Sequence, residues 1–466
     1  MISKSLAIEV LNEMLSTGGD YAEIFYENSS STGLLVENGK VTSSSYNITS
    51  GAGLRILKEN QCVYGYTCDL TKKGLMTLAS SLNKSFNGKR ILEVKELKVL
   101  KGPNRNKINV SYDDIPLKDK IALIKEGTDE IASMNDPRIV RYIGSFGDNH
   151  RRVTIFNSKG IYFNRENEFA RMAYQVVVVN ENGMETGFQG PGCQMDISFF
   201  KDKAKPRKVA RKAAETALLM LNAKECPSGK MPVVIGNGWG GVLFHEACGH
   251  PLEASAVSRG LSYASGKEGQ LIASPLVTAI DDSTIPNEWG SIDIDDEGNP
   301  GTKRVLIKDG VLKDFMIDDF NGRRMGREGN GSSRRQNYRY CPTSRMSNTY
   351  IDNGKSTPEE IIKATKLGLY AVEFAGGSVD PTTGEFNFGC SEAYIIRDGK
   401  VCEPVKGATL IGKGEEILKN IDMVGNDLKL AQGMCGAASG SIRTNVGQPT
   451  LRVKEILVGG RGGELK

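Results

Sequence analysis

At 466 residues the chain is longer than a single core normally serves, and two domains is the natural expectation. A hydrophobic fraction of 39% with 25% charged residues excludes a disordered polymer, and a net charge of +4 is too small to argue for a nucleic-acid partner. Nine cysteines, an odd number with no C-x-x-C pair, argue against a disulfide framework and for reduced thiols in a cytoplasmic protein.

In chain order, residues 4–16 put Leu6, Ala7, Val10, Leu11, Met14 and Leu15 on one helical face, and Gly18-Gly19 stop the helix. The same stretch is broken by Glu9, Asn12 and Glu13, so it lacks the apolar core of a signal peptide. Nowhere does an apolar run approach a membrane span; runs such as QVVVV are far too short. From Tyr21 to Cys68, short alternating runs broken by ENGK, SGAG and KENQ predict an antiparallel meander. Helices are expected over 71–85 and 117–134, the second ending before Asp136-Pro137. A second strand-rich block covers 139–200, and a helix over 204–223 closes it. The basic run KDKAKPRKVARK (201–212) reads as the solvated face of that helix and not as a nucleic-acid patch. Its other face is Val209, Ala213, Ala214, Ala217, Leu218 and Leu221. Strands, helices, strands, helix is the order of two related halves, although no sequence repeat accompanies it.

The stretch NAKECPSGKMP (222–232) has the Pro, Gly and Ser of a boundary. It divides the chain into an N-terminal α+β domain, 1–225, and a β-rich C-terminal domain, 226–466. The second part is Gly-rich, with many short strands and a helix near 358–370. Helices and antiparallel strands are segregated and do not alternate, so the fold class is α+β.

Within the C-terminal part, the strand MPVVI leads into GNGWGG (236–241), which satisfies G-x-G-x-x-G ahead of a helix. A dinucleotide site also needs an acidic residue about 20 positions on, at the end of a second strand. That region reads RGLSYASGKEG, so these glycines are taken as a tight strand-to-helix turn. The helix they open contains HEACGH, with two of the three histidines in the chain. In H-E-x-x-H the histidines are four apart and share one helix face. His245 and His250 are five apart, a step that turns a regular helix by about 500° and leaves the imidazoles about 140° apart. One metal ion therefore requires the helix to underwind or end between them. A π-type turn, bonded i to i+5, achieves this. Gly249 is expected to supply unusual dihedrals, and Pro251 to bias His250 away from the α region while withholding an N–H.

Neutral imidazoles from His245 and His250 plus one further protein ligand predict an open zinc site with a place for water, whose proton is lost at about pH 7. Glu246, next to the first ligand, is the expected general base, taking the water proton and passing it to the leaving amine. Spacing alone leaves the third ligand open. Cys435 lies in the small-residue loop AQGMCGAASG, Cys248 inside the motif, Cys390 in NFGCSEAY and His150 in FGDNHRR. Cys248 and Cys390 read as packed, and His150 as exposed. The donor-rich segment SSRRQNYRY (332–340) reads as surface charge before it reads as the lining of a cleft.

FHEACGHPLEA does not stand alone. With SIDIDDEGNPG, NGSSRRQNY, SRMSNTY, GKSTPEEII, SEAYII, EPVKGATLIG, MVGNDL and VGQPTLRV, and with DYAEIFYE and SYNITSGAGLR earlier, it makes the chain similar, essentially end to end, to one family. The chain resembles the TldD/PmbA metallopeptidases, and specifically the TldD branch. That resemblance implies a zinc-dependent peptidase acting on unfolded or flexible peptides, including leader removal from precursors. It implies metal ligands at His245, His250 and Cys435 and a catalytic role for Glu246. It also implies a dimer, either of two copies or with a PmbA/TldE-type subunit lacking the metal motif. An enclosed site of this kind is expected to take extended chains by strand addition. No membrane or nucleic-acid partner is expected. Two rival readings are a non-catalytic or regulatory subunit of such a complex, and a metal-dependent amidohydrolase acting on small amides. Intact His245, Glu246, His250 and Cys435 speak against the first.

Overall fold

The structure is a computed structural model and describes residues 2–181, 183–380 and 383–465. The opening helix, Lys4–Met14, starts where the Ser3 side chain accepts from the Leu6 amide, and it buries Ala7, Val10, Leu11 and Met14. The meander that follows comprises Tyr21–Glu37, Lys40–Lys58 and Gln61–Thr67, then helix Lys72–Asn83 capped by Thr71. The second strand block contributes Ile139–Asn157, Ile161–Asn180 and Gly183–Gln189. These blocks are not separate halves. Tyr21–Glu37 pairs antiparallel with Ile139–Asn157, so both merge into one eight-stranded sheet. Helices Leu117–Ser133 and Pro206–Leu221 pack Leu123, Ile124, Ala210, Ala213 and Ala217 against Phe146, Met172 and Tyr174 of that sheet. On the outer side of the second helix, Arg207 and Arg211 reach Glu130, as expected for a solvated basic face.

Two larger sheets follow among the described residues, with a two-stranded one of Ser333–Arg334 and Thr343–Ser344. In the first, Leu367–Val379, Gly229–Ile235, Leu451–Gly459, Thr409–Lys413 and Glu385–Arg397 pair in that order, and the last pairs back with the first, closing a ring of five strands. The second has six strands and ends in the hairpin of Gly440–Gln448 with Lys429–Ala437, the latter outermost. One core joins both, including Val233, Phe244, Ala247, Leu252, Leu306 and Phe388. The helix expected over 358–370 is shorter, Pro358–Lys363, and strand begins at Leu367. A capping box at Thr357 and Glu360 starts it as the local pattern demands. Parallel pairing of Leu369–Ala371 with Val233–Ile235 then overrides helical periodicity, because these residues close the ring.

The segment 332–340 departs most from expectation. Instead of surface charge, Ser333, Arg334, Arg335 and Tyr338 are buried in a seam between the N-terminal sheet and the rest. Arg335 pairs with Glu23, and Arg55 bridges Glu23 at 2.8 Å and Glu297 at 2.6 Å. Tyr64 donates its hydroxyl to the Tyr338 carbonyl at 2.6 Å. Burial is tolerable here because carboxylates from the opposite side neutralise the guanidinium groups.

Candidate metal centre

The strand Gly229–Ile235 runs into the Gly-rich turn, where two of the four glycines are hemmed in by the protein's own backbone. A Cβ at Gly236 would sit 2.9 Å from the Val372 carbonyl oxygen, and one at Gly241 would sit 2.5 Å from the Gly447 nitrogen. Their purpose is close approach of strands, which agrees with the structural reading of GNGWGG. A 3-10 turn over Gly238–Gly241 and a single helical turn, Val242–Phe244, deliver the chain to His245.

Between the two histidines the backbone is a π-helix, His245–Gly249, and the His250 amide donates to the His245 carbonyl, the i to i+5 bond that the spacing calls for. The means differ from those expected. Gly249 has ordinary helical dihedrals (φ −67°, ψ −52°), and His250 stays in the α region (φ −57°, ψ −41°) despite the proline after it. What Gly249 provides is space, since a Cβ there would lie 2.4 Å from Met346 Sδ. Pro251 falls in the opening turn of the 3-10 helix His250–Leu252, where a missing N–H costs little.

This turn brings His245 and His250 together, with ring centroids 5.2 Å apart and planes at 83°. Cys435 joins them from the outermost strand, Lys429–Ala437, and not from a loop as its small neighbours suggest; it sits opposite Ile442 in the hairpin. One ligand atom from each of the three residues lies within 4.8 Å of the other two. The Sγ of Cys435 is 3.3 Å from His250 Nε2. His245 is buried and its Nδ1 has no hydrogen-bond partner, and Cys435 is buried as well. Burial alone would push the Cys435 thiol up, but His245 and His250 hold it at about 3, so the thiolate is the favoured form. Two imidazoles and a thiolate are a donor set that suits zinc.

Three other residues frame the centre. Glu246 Oε2 is 3.6 Å from His250 Nε2, with its side chain 29% exposed and so open to water. Glu253, absent from the sequence reading, places Oε2 3.1 Å from His250 Nδ1 and turns Nε2 toward the thiol. Burial would lower the His250 pKa, but Glu253 and Cys435 raise it well above the usual value. Arg345, also unforeseen and fully buried, donates to the Cys435 carbonyl at 2.6 Å, to Ser439 Oγ at 2.9 Å and to the Gly440 carbonyl at 2.9 Å. It thereby anchors the Cys435 hairpin, with its Nε 3.9 Å from Glu253 Oε1. A carboxylate three residues after His250 was the local signal for Glu253. Nothing local marks Arg345.

The remaining candidates lie elsewhere. Cys248 is buried with Sγ 3.7 Å from the Gly414 carbonyl, and burial pushes its thiol up to about 12. Burial likewise raises the Cys390 thiol, within strand Glu385–Arg397. His150 is buried, contrary to its exposed-looking surroundings, in the middle of Ile139–Asn157.

Two buried residues and a partly buried histidine placed to hold a divalent cation, with a carboxylate beside them, make a candidate metal centre of the kind found in hydrolases. Comparison with known proteins supplies the family. Sequence profiles of the PmbA/TldA metallopeptidases match residues 22–85 (domain 1), 111–221 (central domain) and 228–460 (C-terminal domain). The chain is 35% identical over 464 residues to a Metalloprotease TldD homolog of Buchnera aphidicola, covering 97% of this chain and 95% of that one. It is 29% identical over 234 residues to a Zinc metalloprotease TldD homolog of Saccharolobus solfataricus, 50% of this chain and 52% of the other. Among solved structures, a Thermotoga maritima protein aligns with TM-score 0.78 at 21% identity, covering 94% of this chain and 96% of that one. TldE from Thermococcus kodakarensis aligns with TM-score 0.75 at 19% identity, covering 97% and 99%. The chain belongs to the PmbA/TldD family of metallopeptidases.

Proposed function

We propose that this protein is a zinc-dependent peptidase that hydrolyses unfolded or flexible peptides, with precursor processing as one use, and that residues 226–466 form its catalytic domain. The observation that carries the reading is the convergence of His245, His250 and Cys435 within 4.8 Å, with the Glu246 carboxylate 3.6 Å from His250 Nε2. His245, His250 and Cys435 are the residues that hold the ion. When bound, zinc supplies Lewis acidity toward a scissile carbonyl and toward water. Glu246 accepts a proton from the attacking water and returns it to the leaving amine nitrogen. Glu253 fixes the His250 ring, and Arg345 fixes the strand that bears Cys435. Because that strand is the outermost of its sheet, an extended peptide can lie beside it, which favours unfolded substrates.

The protein acts as a dimer, of two copies or with a TldE-type subunit, as the family resemblance implies. Its nine cysteines are unbridged, which fits a reducing cytoplasm, and no helix of the described residues is long and apolar enough to cross a membrane. The test is zinc analysis of the purified protein alongside hydrolysis of an unstructured peptide. Glu246→Gln is expected to keep its zinc and lose about 10²–10⁴-fold in turnover. Turnover at the wild-type rate in that variant removes Glu246 from the mechanism.

A further inference from the structure

Beside the metal centre, the N- and C-terminal regions enclose a cavity of about 530 Å³, a size typical of small-ligand sites. Arg171, Phe188 and Gly190 line it from one side, and Trp239, Val242 and Phe374 from the other. Its lining residues adjoin both elements that carry the proposed ligands. Val242 begins the turn that runs directly into His245. Trp239 lies against the strand of Cys435, 3.5 Å from where a Cβ at Gly433 would be. Arg171 Nη2 is 3.5 Å from the Gln432 carbonyl oxygen in that same strand.

Three aromatic residues, Phe188, Trp239 and Phe374, stand in the wall, and Phe188 leaves half its surface exposed. Gly190 makes room for this arrangement, since a Cβ there would meet Phe188 Cζ at 2.8 Å and Arg171 Nη2 at 3.0 Å. Polar side chains share the lining, Gln175, Gln189, Thr216 and Glu373 among them, and Arg171 is its one cation. Its polar partners among the described residues are carbonyl oxygens, Gly190 at 3.0 Å and Gln432 at 3.5 Å. Burial pulls its pKa below the usual arginine value. Glu373 lies at the cavity wall too, where burial raises its pKa against the pull of Lys429 and Lys212. Arg171 thus stands at the cavity wall bonded only to carbonyl oxygens, with no salt bridge among the described residues. An incoming carboxylate would relieve the cost of burying the guanidinium and could accept two of its free N–H groups.

We propose that this cavity is a substrate subsite that binds a carboxylate carried on an apolar group, the anion on Arg171 and the apolar part among Phe188, Trp239 and Phe374. As a substrate subsite it rests on the peptidase reading above. The carboxylate can come from the C-terminal residue of a peptide or from an acidic side chain next to an apolar one.

The test is a fluorescence titration, read through Trp239, with N-acetylphenylalanine, its amide, and N-acetyl-glutamyl-phenylalaninamide. N-acetylphenylalanine is expected to bind at least about tenfold more tightly than its amide, one charge-assisted contact being worth that much or more. Arg171→Gln is expected to erase the difference. Tighter binding of the glutamyl ligand than of N-acetylphenylalanine assigns the anion to a side chain and not a chain end. Equal binding of acid and amide by the wild-type protein, or no binding of either, overturns the proposal without reliance on any variant. In parallel, hydrolysis of one unstructured peptide with a free or amidated C-terminus is compared. Selective binding without any hydrolysis discards only the peptidase reading, whereas hydrolysis with no carboxylate preference in binding discards only the subsite.

Discussion

His150 and His250 each lie among carboxylates, yet their surroundings leave them with different capacities. On the strand Ile139–Asn157, His150 has Nδ1 2.7 Å from Asp113 and Nε2 2.5 Å from Glu166, so both ring nitrogens are taken. At the π-turn, Glu253 holds Nδ1 of His250 at 3.1 Å, while Nε2 faces Cys435 Sγ at 3.3 Å, with Glu246 Oε2 at 3.6 Å and so beyond hydrogen-bonding distance. One carboxylate orients an imidazole and raises its basicity as a ligand; a second, on the other nitrogen, consumes it. A histidine surrounded by acids is thus not by itself a metal ligand. What distinguishes the centre is the nitrogen left pointing at other donors.

The sharpest way to break this contrast is to remove ligands on each side of it. His250→Ala and Cys435→Ser are each expected to lose bound zinc and turnover together, whereas His150→Asn keeps both; metal analysis of the three purified proteins checks this. If His150→Asn loses zinc and Cys435→Ser does not, the centre has been assigned to the wrong histidine.

A second contrast is with the seam, where buried charge is paired and not held ready. Arg55→Met leaves Glu23 and Glu297 buried with one fewer cation, at a cost of about 3–5 kcal/mol in urea denaturation at neutral pH. Burial raises the Glu23 pKa, but Arg55 and Arg335 outweigh it and hold the carboxyl below its ordinary value. A depressed carboxylate contributes stability above its unfolded pKa of about 4.3 and loses it as pH falls through the folded value. Glu297, also beside Arg55, is pushed well above its usual value by burial and the nearby aspartates, so the gap between wild type and Arg55→Met is expected to narrow on acidification, beginning above the range in which Glu23 titrates. A gap independent of pH would show that packing, and not charge, is what Arg55 supplies.

The smallest expected effect sharpens the role of the single orienting carboxylate. Glu253→Gln keeps a hydrogen-bonding group near His250 Nδ1 but removes the charge, and should weaken zinc binding by about 10–100-fold, read by competition with a chelator. Unchanged affinity would reduce Glu253 to a structural neighbour.

Much of the N-terminal fold was legible because its signals are local. Ser3 and Thr71 cap the helices that follow them, and the alternation in 21–68 and 139–180 matches the strands. The π-turn was legible from an interval of five residues between histidines, although the role given to Gly249 was not: its dihedrals are regular, and Met346, almost a hundred positions away, explains it. The buried Arg334 and Arg335 read as surface because their neutralising partners are remote, Glu23 lying 312 positions from Arg335. The helix written into 358–370 gave way at Leu367 for a similar reason, its outer part being claimed by a strand partner at 233–235.

By itself, then, the amino-acid order determined the α+β class, most element positions in the first two hundred residues, the pair His245 and His250, and the need for an underwound turn between them. These are consequences of periodicity and short-range sterics, which act over a few residues. Tertiary structure alone decided that Cys435 arrives from an edge strand and that Arg345 anchors its hairpin. It also decided that Glu253 turns the His250 ring, and that an arginine-bearing cavity opens beside them. Those arrangements depend on groups brought together from distant parts of the chain, where burial and charge pairing, not local preference, set the outcome.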